Sequence, residues 1–505
     1  MAQDMCYWDY NGWSNNFLYM NKVINTKQIS WLSLLFWGLL ITLNMLFLVY
    51  WIGLSMNYCL HYDDVHFMWK LREYSIFEYV REMYMSRGGN FVGYGINGIV
   101  FSLSNRIGDY HWWSMLFYTL GMAMTYFSIK DYFHNIAHWK VSIGVLAIYN
   151  VYVLTVPDYA VFTWLCAMSY FLYGPAICLL LRLLNKPVIH IGGWIILWLL
   201  ALFLSGTNVP LTPMVWVLML ANGIWQLRQA QWNVRRAWTN YAIRRIVFVA
   251  LGMFVIYAIM FVAPGNFARL SAGDDMEHPA NISQFAMAWT KCIVMFLYMM
   301  LFYFPYHLLA ILLGYLTGTQ AKTVIQQRWQ CVIWIMIAFA VYICIAVIPL
   351  AYLSNGFGIQ RNYTQIAFFY ILMWFAIGYV WGNQRKTYTI WVQRSTSVVT
   401  LFLIAVMCVN IHTDFPIARK YNRAHIERID YLNTLQQGGH TKEVAVTPYP
   451  STATIDAKYI VLEALGKKTA QQHIYYESDT NTTPNEYASH LRKLYGWDFD
   501  IVLQH

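Results

Sequence analysis

An all-α polytopic membrane protein of about eleven transmembrane helices is the fold this sequence predicts, because bilayer-length apolar runs recur along it. Two further observations agree. Of the 505 residues 59% are hydrophobic and only 11% are charged, whereas soluble globular chains carry roughly 25% charged residues. Aromatic residues make up 18%, and many stand near the ends of the apolar runs, where amphipathic rings favour the headgroup zone.

The first 29 residues are polar and aromatic, and the first apolar run, Trp31 to Ser55, is too long for a signal-peptide core. It is expected to be an uncleaved anchor. Further spans are expected at 112–129, 141–156, 160–182, 188–204, 210–227, 246–263, 286–318, 329–352, 364–383 and 395–411. The 286–318 run exceeds one span, and Pro305 within it predicts a kink or break.

Basic residues set the expected orientation. Arg228, Arg235, Arg236, Arg244 and Arg245 share one loop. Lys130 and Lys140, Arg182 and Lys186, Lys322 and Arg328, and Arg385, Lys386 and Arg394 fall on the same side if spans alternate. The turns at Pro157-Asp158 and Ser205 to Pro210 carry no basic residue. The positive-inside rule then puts the N-terminus in the cytoplasm and the C-terminus outside a bacterial inner membrane. The net charge of +10 is accounted for by these loops, so nucleic acid is not an expected partner. With no CxxC pair, the cysteines inside apolar runs, among them Cys166, Cys292 and Cys408, read as buried packing residues.

Two units follow: a transmembrane domain, 1–411, and an extracytoplasmic C-terminal domain, 412–505. The latter has soluble composition. Val444, Val446 and the Tyr459 to Leu465 region suggest a small α/β unit, with a helix over 484–497. The first outer loop, 56–111, is unusual. Val65, Met68, Trp69, Ile76, Val80 and Met83 make one greasy helix face between Asp64 and Met83. Such a helix is expected to lie on the membrane surface, joined through Arg87-Gly88-Gly89 to a second surface helix over 91–103.

The strongest chemical signal is Tyr62-Asp63-Asp64 at the start of that loop. Adjacent carboxylates at a membrane surface are costly unless solvated, paired or used. Capping of the surface helix by Asp64 is the plainer reading and is compatible with catalysis. Asp63 and Asp64, the surface helix after them, Arg87-Gly88-Gly89, and the Pro264-Gly265-Asn266 to Arg269 stretch together resemble the GT-C superfamily of integral membrane glycosyltransferases, in a poorly characterised bacterial branch.

The resemblance implies transfer of a sugar from a polyprenyl-phosphate or polyprenyl-diphosphate carrier to a glycan, lipid or protein acceptor outside the cytoplasm. Asp63 or Asp64 would be the general base, and cations would receive the charge of the leaving phosphate. Some members of that superfamily use a divalent metal, Mg2+ or Mn2+, at their acidic motif and others do not. Candidate phosphate binders at outer ends are Arg87, Arg269, Lys291 and Arg361. Snorkelling explains Lys291 equally, and ion pairing explains the arginines. Asn208 could contact a sugar hydroxyl, though it also suits a turn. His412, with Asp414, stands where the last span leaves the membrane. Asp274, Asp275, Glu277 and His278 form an acidic patch of hard ligands without a calcium-loop spacing. His307 reads as a hydrogen-bonded structural residue.

No P-loop, dinucleotide fingerprint or HExxH helix is present, and no cytoplasmic loop is long enough for a nucleotide-sugar domain. A transporter or flippase for a lipid-linked glycan is the rival class, with only Pro305 and His307 hinting at a broken midplane helix. A glycan polymerase or ligase, or a noncatalytic scaffold, completes the alternatives.

Overall fold

The computed structural model describes residues 31–60, 62–130, 136–155, 165–271, 279–321, 325–354, 363–383, 390–439, 443–447, 449, 453–454, 472–473 and 484–503. It is a helical bundle. Among the described residues five helices are long and apolar enough to cross a bilayer: Leu34–Ser55, Tyr241–Phe261, Arg328–Tyr352, Thr364–Gly382 and Trp391–Gln437. Shorter apolar helices occupy Ser169–Asn185, Ile191–Gly206, Ile282–Tyr298 and Phe304–Gly318.

The first helix, α1 (Trp31–Ser55), leads into a segment of three helices, α2 (Tyr62–Glu73), α3 (Ile76–Ser86) and α4 (Phe91–Ile107). The continuous helix expected over 64–83 is interrupted. Ser75 caps α3, its hydroxyl accepting from the Glu78 amide while the Glu78 carboxylate accepts from the Ser75 amide. This capping box makes a new helix start more favourable than continuation. The greasy face is turned to protein: Val65, Phe67, Met68, Tyr79 and Met83 are buried, with α4 packed along both α2 and α3.

Helices α5 (Trp112–Ile129) and α6 (His138–Leu154) pack beside α1. A buried polar clamp joins them, since Asn150 donates to Asn44 at 2.7 Å and Tyr118 donates to Asn150. Next come a 3-10 helix (Leu165–Leu172), α7 (Tyr173–Asn185), α8 (Ile191–Gly206), α9 (Thr212–Gln229), the short α10 (Val234–Thr239), α11 (Tyr241–Phe261) and α12 (Pro264–Ser271). The long apolar run divides as expected. Helix α13 (Ile282–Phe302) stops at Tyr303, and α14 (Phe304–Gly318) starts with Pro305 in its first turn, where a missing N–H costs nothing.

After α15 (Arg328–Ala346) and α16 (Ile348–Ser354) comes α17 (Thr364–Gly382), which packs parallel to α14. Two G-x-x-x-G pairs face one another, Gly314 and Gly318 against Gly378 and Gly382. A Cβ on Gly314 would stand 2.0 Å from the Phe375 carbonyl, and one on Gly378 would stand 2.0 Å from that of Ile311. Absent side chains let the two backbones touch, which is how helices associate in a medium with no hydrophobic drive between them. Gly378→Ala is expected to force the helices apart and to cost about 1–3 kcal/mol, read as a lower Tm in detergent.

The last helix, α18 (Ile390–Gln437), runs well beyond the span expected to end near 411. Ala418, Tyr421, His425, Ile429 and Leu432 are buried at spacings of three and four, an amphipathic stripe that continues the helix past Pro416. The described remainder comprises β1 (Val444–Val446), β2 (Ala453–Thr454), β3 (Gln472–His473), α19 (Pro484–Tyr495) and β4 (Ile501–Leu503). Strands β1 and β4 pair in parallel, Val444 opposite Ile501, and β2 pairs antiparallel to β3. Residues 459–465 lie outside the described residues. Among the cysteines, Cys59 and Cys292 are buried, but Cys408 on α18 is exposed, not packed as expected.

Candidate functional site

The two ends of the segment that carries α2–α4 are fastened at Tyr58. Its carbonyl accepts from the Tyr110 hydroxyl at 3.3 Å and lies 3.1 Å from His111 Nε2. The paired carboxylates sit on the first turn of α2, immediately after this knot, and the structure gives them opposite environments.

Asp64 is fully buried. Its Oδ2 accepts from the Tyr58 hydroxyl and, at 3.4 Å, from the Leu165 amide. Its Oδ1 accepts from the Cys166 amide at 3.2 Å. A carboxylate at the first amides of a helix meets unsatisfied donors and the positive end of the dipole. Asp64 therefore caps the 3-10 helix that begins about a hundred residues later. Burial, and then the adjacent Asp64 charge, hold the Tyr58 hydroxyl well above its usual range, so it remains a donor.

Asp63 points the other way. Its Oδ1 lies 3.5 Å from Arg87 Nη1, and the two side chains are 24% and 41% exposed. The Arg87 guanidinium also lies 5.7 Å from the centre of the Phe67 ring, a cation–π contact that holds it over α2. Tyr79, Cys166, Arg87 and Asp63 stand within electrostatic range of one another.

Two stretches far apart in sequence meet here. Asn266 accepts from the Gly89 amide at 3.0 Å through Oδ1 and donates through Nδ2 to the carbonyls of Met260 and Phe261 at 2.9 and 3.0 Å. A Cβ on Gly265 would lie 2.4 Å from the Gly88 nitrogen, and one on Gly89 only 1.7 Å from the Met260 carbonyl. Only glycine permits this approach, so Arg87-Gly88-Gly89 is seated on Pro264-Gly265-Asn266.

The other candidates distribute as follows. Asn208 is buried, its Nδ2 donating to the Tyr170 hydroxyl at 2.7 Å. It is thus linked through the 3-10 helix to the element that Asp64 caps. His412 is exposed on α18. Its neighbour Asp414 is buried and accepts from Tyr50 at 2.6 Å, tying α18 to α1. Lys291 is half-buried on α13, about 13 Å along the axis from the first residue of that helix. The Arg269 side chain, Arg361, and Asp274, Asp275, Glu277 and His278 lie outside the described residues. His307 is buried against the Tyr370 ring at 4.7 Å.

Among the described residues no three His, Cys, Asp or Glu side chains group as metal ligands. The acidic pair does not suit a divalent ion either. Both Asp64 oxygens are taken by donors, and Arg87 already brings a positive charge to Asp63.

A contact that sequence reasoning missed covers α2. Helix α19 lies along it, with His66 Nδ1 2.9 Å from His490 Nε2, Lys493 over the Trp69 ring at 4.4 Å, and Arg72 donating to the Leu494 carbonyl. No local pattern could reveal this, because the partners are over four hundred residues apart. Burial, then His490, Arg87, Lys70 and Lys493, lower the His66 pKa to about 3. The unfolded imidazole takes a proton near pH 6.5, so between pH 6.5 and about 3 the unfolded chain binds more protons at this site. The stability it contributes is complete above 6.5 and is lost as the pH falls through that window. The protection of residues 484–495 against hydrogen exchange, corrected for the intrinsic pH dependence of amide exchange, should fall from pH 7.5 to 5, and His66→Gln should flatten the response.

No family model, no curated protein and no solved structure matches this chain, so the reading of the site rests on its own side chains.

Proposed function

We propose that this chain is a GT-C-type membrane glycosyltransferase that moves a sugar from a polyprenyl-phosphate or diphosphate carrier to an extracytoplasmic acceptor. It crosses a bacterial inner membrane about eleven times, with the N-terminus cytoplasmic and α2–α4 outside, as the positive-inside pattern of its loops supports. Residues 412–505 contribute an outer domain that includes α19.

The observation that carries the reading is the partly exposed Asp63 carboxylate, 3.5 Å from the Arg87 guanidinium, on a rigid helix start at one end of an apolar bundle. Asp63 accepts the proton of the acceptor hydroxyl as its oxygen attacks the sugar C1. The C1–O bond to the carrier breaks, and the electron pair leaves with the polyprenyl phosphate. Arg87 receives the charge that develops there, its planar fork matching phosphate oxygens. Asp64 does no proton transfer. It positions Asp63 by fixing the start of α2 to the 3-10 helix, and Asn208 braces the same helix through Tyr170. Arg269, Lys291 and Arg361 are secondary candidates for the carrier phosphate.

The test is transfer from a polyprenyl-phosphate sugar by the purified protein in lipid. Wild-type turnover, its collapse in Asp63→Asn, and a raised donor KM in Arg87→Ala are expected. Wild-type turnover in Asp63→Asn removes the mechanism.

A further inference from the structure

At the opposite end of the bundle from Asp63, a groove opens between α1, α6, α14 and α17. Trp37 lies near the start of α1, Lys140 near the start of α6, and Gln320 just past the end of α14. All three mark one membrane-facing end, about 27 Å along α1 from Ser55. Below that rim the walls are mostly apolar, including Val141, Ile148, Leu313 and the rings of Phe36 and Phe375. The floor is opened by Gly144, where a Cβ would meet nothing within 4 Å. The Lys140 ammonium is held at the mouth by two indoles, 5.4 Å from the ring centres of both Trp37 and Trp139.

A slot with one cation at its polar rim and hydrocarbon walls running inward has the polarity of a single lipid. From Lys140 to Ile148 the groove follows α6 for about 12 Å, the depth of one acyl-chain segment below the headgroups. Polar and charged groups elsewhere in bilayer-spanning helices are expensive, so a charge at this rim fits a headgroup of opposite sign. We propose that this groove binds an anionic glycerophospholipid, its phosphate against Lys140 and one acyl chain along Gly144. This is the face that the basic loops assign to the cytoplasmic leaflet, where anionic lipid attracts basic residues. The site is remote from Asp63 and is independent of the proposed transfer reaction.

The experiment uses the full chain in nanodiscs of phosphatidylglycerol and phosphatidylcholine at equal amounts, with a minor fraction of polyprenyl phosphate, followed by native mass spectrometry. Wild type should retain one phosphatidylglycerol in preference to phosphatidylcholine by about fivefold, the ratio given by about 1 kcal/mol per basic residue. Lys140→Gln should bring the ratio to parity, Gly144→Leu should lose the retained lipid, and Asp63→Asn should leave it unchanged. Equal retention of the two lipids by wild type, an unchanged ratio in Lys140→Gln, or retention of polyprenyl phosphate in place of the glycerophospholipid would overturn the assignment. Lys140→Gln alone decides the matter should the leucine variant fail to fold.

Discussion

Asp63→Asn is expected to lower turnover by about 10²–10⁴-fold while the protein melts almost as before. The substitution removes the carboxylate assigned to take the acceptor proton in the proposed reaction, yet keeps size and shape. Its cost to the fold is small because the Asp63–Arg87 pair is partly exposed, and such pairs contribute at most about 1 kcal/mol. Asp63→Glu, which restores a carboxylate on a longer arm, should recover part of the activity. Transfer assays at several donor concentrations, alongside thermal melting, measure both quantities. A proportional loss of activity and folded protein would point instead to a structural role for Asp63.

For its neighbour the expected pattern is reversed. Asp64→Ala should destabilise the protein by about 3 kcal/mol, because the Tyr58 hydroxyl and the Leu165 and Cys166 amides lose a buried acceptor together. Asp64→Asn should do little better, since one of its two heads is a donor facing donors. The measurement is the unfolding midpoint in detergent, paired with turnover at a temperature where the variant stays folded. Wild-type stability with abolished turnover in Asp64→Asn, and an active Asp63→Asn, would exchange the two roles. The variants therefore separate a base from a brace at adjacent positions.

Much of the α2–α4 segment was legible in advance. Val65, Met68 and Met83 mark a buried helix face, and Asp63, Asp64 and Arg87 were already candidates. The break at Ser75 was also written locally, since Ser75 and Glu78 have capping-box spacing, but the longer apolar periodicity masked it. The G-x-x-x-G pairs at Gly314 and Gly378 were equally readable as motifs. Their meeting was not, because each needs the other helix to explain it.

By itself the sequence determined an apolar, helical, membrane-embedded chain with an acid pair beside its first helix, because hydropathy and periodicity are sums over neighbouring residues. Tertiary structure decided which carboxylate is sealed and which is open, that Gly89 rests on Asn266, and that His66 meets His490. The physical reason is that desolvation and hydrogen-bond supply depend on groups roughly a hundred or more positions away, which no local window contains.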